Sequence, residues 1–443
     1  MISFLKEAAT KPEILGMVGI TACAYFLLIF GLVKKLRISP QAHKLITFIF
    51  IVIIPGTNVF PLYYFHPFWL KNTGIMSIIA WLTYASVGLI LSSKTRHSFS
   101  QFGFLAKDPF IALLLLIIPI STLWSDVPWI TFTNSVVFLL MTFIAAHIGA
   151  EYKLSELSFL LRWGSLVVVL LSLFSGIFLP EIGLAEKGLR GVLTHPNPMG
   201  IYAVIHLLLW LLNWLDPKTK GKRISLLAMS AYLLVVVLTN SASSLIQLLL
   251  LTFALTIPVV IIKFSRNKSM LVLNTVLAAA IMLGIFATYN ISGILGLVGR
   301  DTTLTGRTDF WPQLLQLISE KPIWGYGFWG FWTNVDGPAA TVGTRYFQPI
   351  HAHNGFLDTA VDLGIVGLGL VLFSIFRNVF SGFKVLRKDR YETIIPLLIT
   401  FFLISANMTE SRLLKTDFIW FYYAAFVTRL NINQKYSQDF LYR

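Results

Sequence analysis

Three groups of residues have side chains and spacings suited to chemistry. The first is a set of arginines: Arg190, Arg300, Arg307 and, as a fourth candidate, Arg412. A guanidinium binds phosphate through a planar fork of donors and stays charged at any working pH. Several on one surface suit a diphosphate. The plainer alternative is pairing with lipid phosphates or with Glu186, Asp301, Asp309 and Glu410. The second group is His351-Ala352-His353-Asn354, just ahead of an apolar stretch that opens with Gly355. Histidine takes up a proton near neutral pH, which suits a general base. A capping or packing role is the alternative. The third is His195-Pro196-Asn197-Pro198, where the prolines hold the chain extended and a simple helix-start turn is the alternative. A metal centre is disfavoured. His351 and His353 are two apart, and neither an HExxH pattern nor a cysteine pair occurs.

These groups need elements to position them, and composition says which. Of 443 residues, 56% are hydrophobic and 12% charged, against about 25% charged in a soluble domain. The apolar residues come in runs of about 18 to 25, the length that crosses a bilayer. The chain reads as all-α, a polytopic membrane helix bundle forming one integral membrane domain over residues 1–443. Helices are the open-chain way to satisfy backbone polar groups in lipid. No small-residue cleavage site follows the first apolar run, so no cleavable signal peptide is expected. The single Cys23 gives neither a disulfide framework nor a cysteine metal site.

Spans are predicted near 13–33, 44–62, 73–92, 109–124, 129–149, 157–179, 198–215, 224–240, 242–262, 270–289, 355–376, 393–409 and 417–429. That is about 12–13 helices. Alternating the loops gives two sets, and one carries about twice the Lys and Arg of the other, which places it in the cytoplasm. The net charge of +15 then marks topology and calls for no nucleic acid. The other set faces outward, to the periplasm. It holds the N-terminus, Trp124-Ser125-Asp126, the 180–197 loop, the tight turn at Asn240-Ser241, the long loop 290–354 and Glu410-Ser411-Arg412. Every candidate residue falls on that one side. Arg162 is the one full charge inside a span, near its cytoplasmic end, where snorkelling is expected.

Within the long loop a short helix is predicted from about Asp309 to Glu320, capped by Thr308 or Asp309, with Pro312 in its first turn. Leu314, Leu315, Leu317 and Ile318 give it an apolar stripe, and Lys321-Pro322 ends it. Arg307 then stands just before a helix N-terminus, where free backbone N–H groups favour an anion. The run Trp324, Tyr326, Phe328, Trp329, Phe331, Trp332 suits either the lipid headgroup layer or contact with sugar rings.

The same segments resemble the O-antigen ligase and polymerase superfamily. His353-Asn354, nine residues, Gly364, two residues and Gly367 resemble the ligase signature. Gly299-Arg300-Asp301, Leu304-Thr305-Gly306-Arg307-Thr308, Trp311, Pro322 and Gly325-Tyr326-Gly327 are similar to the exopolysaccharide-polymerase branch, as is Arg190-Gly191 ahead of His195-Pro196-Asn197. The likeness covers most of the chain from Ser121 onward; the first hundred residues match only as hydrophobic helices. It implies a membrane glycosyltransferase fold of the GT-C-like type. The implied reaction is transfer of a glycan from undecaprenyl pyrophosphate to an acceptor sugar hydroxyl at the periplasmic face of the inner membrane. No cofactor or metal is implied, and direct displacement would invert the anomeric centre. Implied partners are the lipid-linked donor, a glycan or lipid A core acceptor, membrane lipid and other polysaccharide assembly proteins.

Carried over by position, His353 matches the base, and Arg190 and Arg307 match the diphosphate-binding arginines, with Arg300 a weaker match. Asn354 and Asp126 are candidates for orienting the histidine or the acceptor, and His195 and Arg412 are supporting candidates. One departure stands: the family usually has about twelve spans with both ends inside. The competing readings are a ligase using a lipid A core acceptor, a lipid-linked oligosaccharide flippase, and a secondary transporter. A transporter would place polar groups near the bilayer midplane on broken helices in repeats, whereas here they crowd one face. A glycosyltransferase using monophosphate donors would want an acid in the 63–72 loop, which has none.

Overall fold

The computed structural model describes residues 39–54, 107–265, 307–334, 336–343, 348–386 and 391–441, with a few isolated positions besides. The predicted spans 13–33, 73–92 and 270–289 lie outside the described residues, as do Arg300 and the second part of the 44–62 span.

The helices are α1 (Pro40–Ile53), α2 (Pro109–Ile120), α3 (Pro128–Glu151), α4 (Leu154–Phe178), α5 (Pro196–Leu215), α6 (Lys222–Leu238), α7 (Ala242–Lys263), α8 (Arg307–Glu320), α9 (Gly355–Lys384), α10 (Ile395–Thr409) and α11 (Phe418–Leu441). Proline opens α1, α2, α3 and α5, where its fixed φ fits and its missing N–H has no partner to lose. Ser39, Asp108, Ser241 and Asn354 cap helices through their side chains. Among the described residues six helices are long and apolar enough to cross a membrane, with Pro40–Ile53 and Pro109–Leu123 as shorter apolar helices. The chain is a multi-pass helical membrane protein. A two-stranded hairpin, β1 (Leu184–Ala185) and β2 (Gly188–Leu189), pairs antiparallel in the 180–197 loop.

Helix α10 is central, packing against α7, α9, α11 and α5, while α11 also runs along α3. Phe402, Phe418, Trp420, Phe421 and Tyr422 fill the space between them. Arg162 does more than snorkel. Its guanidinium bonds Ser158 Oγ at 2.6 Å and lies 5.5 Å from the Trp210 ring centroid, a cation–π contact inside the bundle.

The predicted 355–376 span is corrected. Helix α9 runs to Lys384 and is broken at Gly364, where φ is 65 and ψ −166. Residues 365–384 beyond the break are about 30 Å long and suffice to cross the hydrocarbon core. The break exposes backbone groups of α9, and the long loop takes them up. Tyr326 N–H donates to Val361 O at 2.9 Å and Gly327 N–H to Asp362 O at 2.8 Å. In return, Ile365 N–H donates to Pro322 O at 2.8 Å and Val366 N–H to Ile323 O at 3.4 Å. A Cβ on Gly364 would lie 2.1 Å from Ile323 O. The two glycine-bearing motifs of the sequence are therefore the two sides of one contact. Trp124 Nε1–H donates to Trp324 O at 3.1 Å and ties the loop to the α2–α3 turn.

The loop helix begins earlier than its predicted start. It opens at Arg307, so Pro312 sits inside it and not in the first turn. Tyr326 O–H donates to Leu317 O at 3.0 Å, joining α8 to the docked loop.

Candidate active site

The site is built on the start of α9. Asn354 Oδ1 accepts the N–H groups of Phe356 and Leu357 at 3.0 and 3.2 Å, so this residue caps the helix. Its own N–H donates to Ser411 Oγ at 3.2 Å, and Gly355 N–H donates to Glu410 O at 3.2 Å. These bonds fasten the segment after α10 to the start of α9. His353 has φ 52, the left-handed region a non-glycine residue rarely enters. There its Nδ1 faces Glu410 Oε2 at 4.0 Å. His351 packs edge-on against it, ring centroids 4.0 Å apart, and accepts the His353 N–H on Nδ1 at 3.3 Å.

Glu410 is 5% exposed. Its Oε1 accepts from Asn197 Nδ2 at 2.8 Å, and Asn197 Oδ1 accepts from Ser241 Oγ at 3.1 Å. Four separate stretches thus converge through side chains: the start of α5, the α6–α7 turn, the start of α9 and the end of α10. Asn240 makes that tight turn with φ 48, as the sequence predicts. A carboxylate held by an amide and facing an imidazole is suited to stabilising the imidazolium that forms when the ring accepts a proton.

His195 caps α5, its Nδ1 accepting Asn197 N–H at 3.2 Å. Burial lowers its pKa below the usual value; Lys187 and Arg412 add to the lowering and Glu410 opposes it. Arg190 lies just beyond the hairpin. Its Nε donates to Ile182 O at 2.8 Å and a terminal nitrogen to Glu181 O at 2.7 Å. Gly188 of the hairpin abuts the backbone of Leu238 and Thr239, so Arg190 sits at the same end of the bundle as Ser241. Arg412 joins the cluster through its backbone, its N–H donating to Asn407 Oδ1 at 2.8 Å, and its guanidinium is 3.6 Å from Asp417.

Asp126 and Asn354 have structural partners. Asp126 pairs with Lys321 at 3.5 Å and so anchors the long loop. Asn354 spends its side-chain oxygen on the helix cap. The group that faces His353 is Glu410, which sequence reasoning treats only as an arginine partner. Its one signal was position, as an acid directly after an apolar span. Arg307 opens α8, and its side chain lies outside the described residues. Among the described residues no three His, Cys, Asp or Glu side chains gather as a metal site requires.

Residues 200–372 match a protein family described as O-antigen ligase. The match covers the long loop, its docking contact and His353. The chain is also similar to an exopolysaccharide production protein, ExoQ, of Rhizobium meliloti (strain 1021), at 31% identity over 102 residues. That alignment covers 22% of this chain and 23% of the relative, so the chain spans about a quarter of the length of the curated relative it matches. Together with the helical membrane architecture, these matches make the segment 200–372 similar to the O-antigen ligase/polymerase superfamily.

Proposed function

We propose that the protein is a membrane glycosyltransferase that joins exopolysaccharide or O-antigen repeat units at the periplasmic face of the inner membrane. The donor is a glycan on undecaprenyl pyrophosphate, and the acceptor is a sugar hydroxyl of another repeat. The acceptor oxygen attacks the donor's anomeric carbon as the carbon–oxygen bond to the pyrophosphate breaks, inverting that centre. The hydroxyl proton passes to His353 through Nε2, since Nδ1 is turned to Glu410. The glycan leaves bonded to the acceptor, undecaprenyl pyrophosphate leaves as the anion, and water takes the proton from the imidazolium.

Arg190 and Arg307, with Arg300, hold the pyrophosphate and stabilise the charge that builds on it. Preset charge of this kind lowers a barrier by several kcal/mol in a partly dry cleft. Proton transfer to a positioned base adds about 10²–10⁴ in rate. The observation that carries this reading is the His353–Glu410 pair, with Arg190 at the same end of the bundle.

The second reading, transfer to a lipid A core, is favoured by the description of the matched family as O-antigen ligase. The exopolysaccharide relative favours polymerisation. The test is purified protein given lipid-linked repeats alone. A ladder of lengths is expected. Transfer only after a lipid A core is added would make it a ligase. Near-normal product from His353→Ala, at equal protein level, would remove the base from its role.

A further inference from the structure

The residue just before His353 is held through both of its backbone polar groups. Ala352 is fully buried. Its N–H donates to Asp358 Oδ1 at 2.9 Å, and its C=O accepts from Trp311 Nε1 at 2.9 Å. The same Asp358 oxygen accepts from Trp332 Nε1 at 2.8 Å. Asp358 lies one turn inside α9, beyond the Asn354 cap. Trp311 lies in α8, one turn after the helix opens at Arg307. Trp332 lies in the single helical turn Gly330–Thr333 of the long loop. Helices α8 and α9 therefore bond Ala352 directly, the Gly330–Thr333 turn joins them through Asp358, and the held backbone of Ala352 sets where the next residue begins.

We infer that Trp311 and Asp358 are positioning residues that set His353 relative to the start of α8, through hydrogen bonds to the backbone C=O and N–H of Ala352. The inference rests on the reading of His353 as the base. It goes beyond that reading in making the long loop a template for the base. His353 holds a left-handed backbone, and such a conformation persists only where the surroundings over-determine it. The Ala352 bonds supply that constraint. Without them the segment can relax toward ordinary backbone angles, and the ring leaves its place against Glu410. A displacement of about 1 Å at a reacting group can cost about 10²-fold in rate.

The variants that separate the parts are Trp311→Phe, which keeps an aromatic ring but removes the donor, and Asp358→Ala against Asp358→Asn. Asparagine keeps an acceptor oxygen for Ala352 and Trp332 while removing the charge. In the polymerisation assay Trp311→Phe and Asp358→Ala are expected to lose about 10- to 100-fold in kcat with KM within about twofold. Asp358→Asn is expected to stay within about threefold of wild type. Amide exchange of a peptide covering residues 348–356 should quicken in the first two variants and not in the third. Wild-type kcat and exchange in Trp311→Phe would overturn the inference, as would Asp358→Asn as impaired as Asp358→Ala. Should Asp358→Ala fail to fold, Trp311→Phe decides. His353→Ala run in parallel keeps the two claims apart. If it is active, the base assignment falls. If it is dead while Trp311→Phe is normal, only the positioning claim falls.

Discussion

Gly364→Ala is expected to release the long loop from α9. Gly364 has φ 65 and ψ −166, a region open in practice only to glycine, where another residue costs about 1–3 kcal/mol. That strain acts only on the docked, broken-helix form. By itself it raises the opening equilibrium about 5- to 150-fold. The added Cβ would also lie 2.1 Å from Ile323 O, so the loop backbone must move away. Moving it gives up the bonds from Tyr326 and Gly327 to α9 and those returned by Ile365 and Val366, each about 1 kcal/mol net. Closing α9 into a continuous helix through Gly364 would recover part of this, with the loop left free. Hydrogen exchange of peptides covering 321–328 and 361–368 measures the opening. Exchange in the first should accelerate by at least the strain factor, and polymer formation should fall with it because α8 and Trp311 move with the loop. Wild-type exchange and wild-type product from Gly364→Ala would show that the break is not what holds the loop.

Glu410→Gln keeps the acceptor for Asn197 but removes the charge 4.0 Å from His353. A drop in kcat of about tenfold or more is expected from lost stabilisation of the imidazolium; an unchanged kcat would leave Glu410 a purely structural residue. Arg307→Lys should be severely impaired in turnover with lipid-linked repeats, because an ammonium lacks the planar fork, and full activity would mean that charge alone suffices or that Arg307 is not used. His195 is held neutral, its folded pKa below the usual value chiefly through burial. An unfolded chain would bind that proton first, so the stabilising contribution is complete above about pH 6.5. It is lost as pH falls through the folded value. His195→Asn keeps a capping side chain, so its Tm should decline less than the wild type's between pH 7.5 and 5.5 in detergent, and parallel declines would refute the linkage.

The membrane bundle and the places where its helices start and stop were legible in the chain alone, because both follow from one-dimensional signals. Apolar runs of bilayer length make helices, prolines and capping side chains start them, and excess Lys and Arg mark one side. The 196–215, 242–263 and 395–409 helices follow that pattern to within a few residues. His353, Asn197 and Glu410 could each be seen as polar residues at the ends of apolar stretches. That Glu410 faces His353, with Asn197 linking it to Ser241, is a tertiary fact, since these partners lie between 44 and 213 residues apart. The pairing of Pro322 through Gly327 with the break at Gly364 was equally invisible. Periodicity registers a glycine in an apolar helix but not the backbone bonds another segment makes there. Residue types and their order along the bilayer normal can be read from the sequence, because lipid selects on composition. Which side chain meets which at the candidate site depends on helix rotation and on how the long loop returns, and those are fixed only when all the helices pack together.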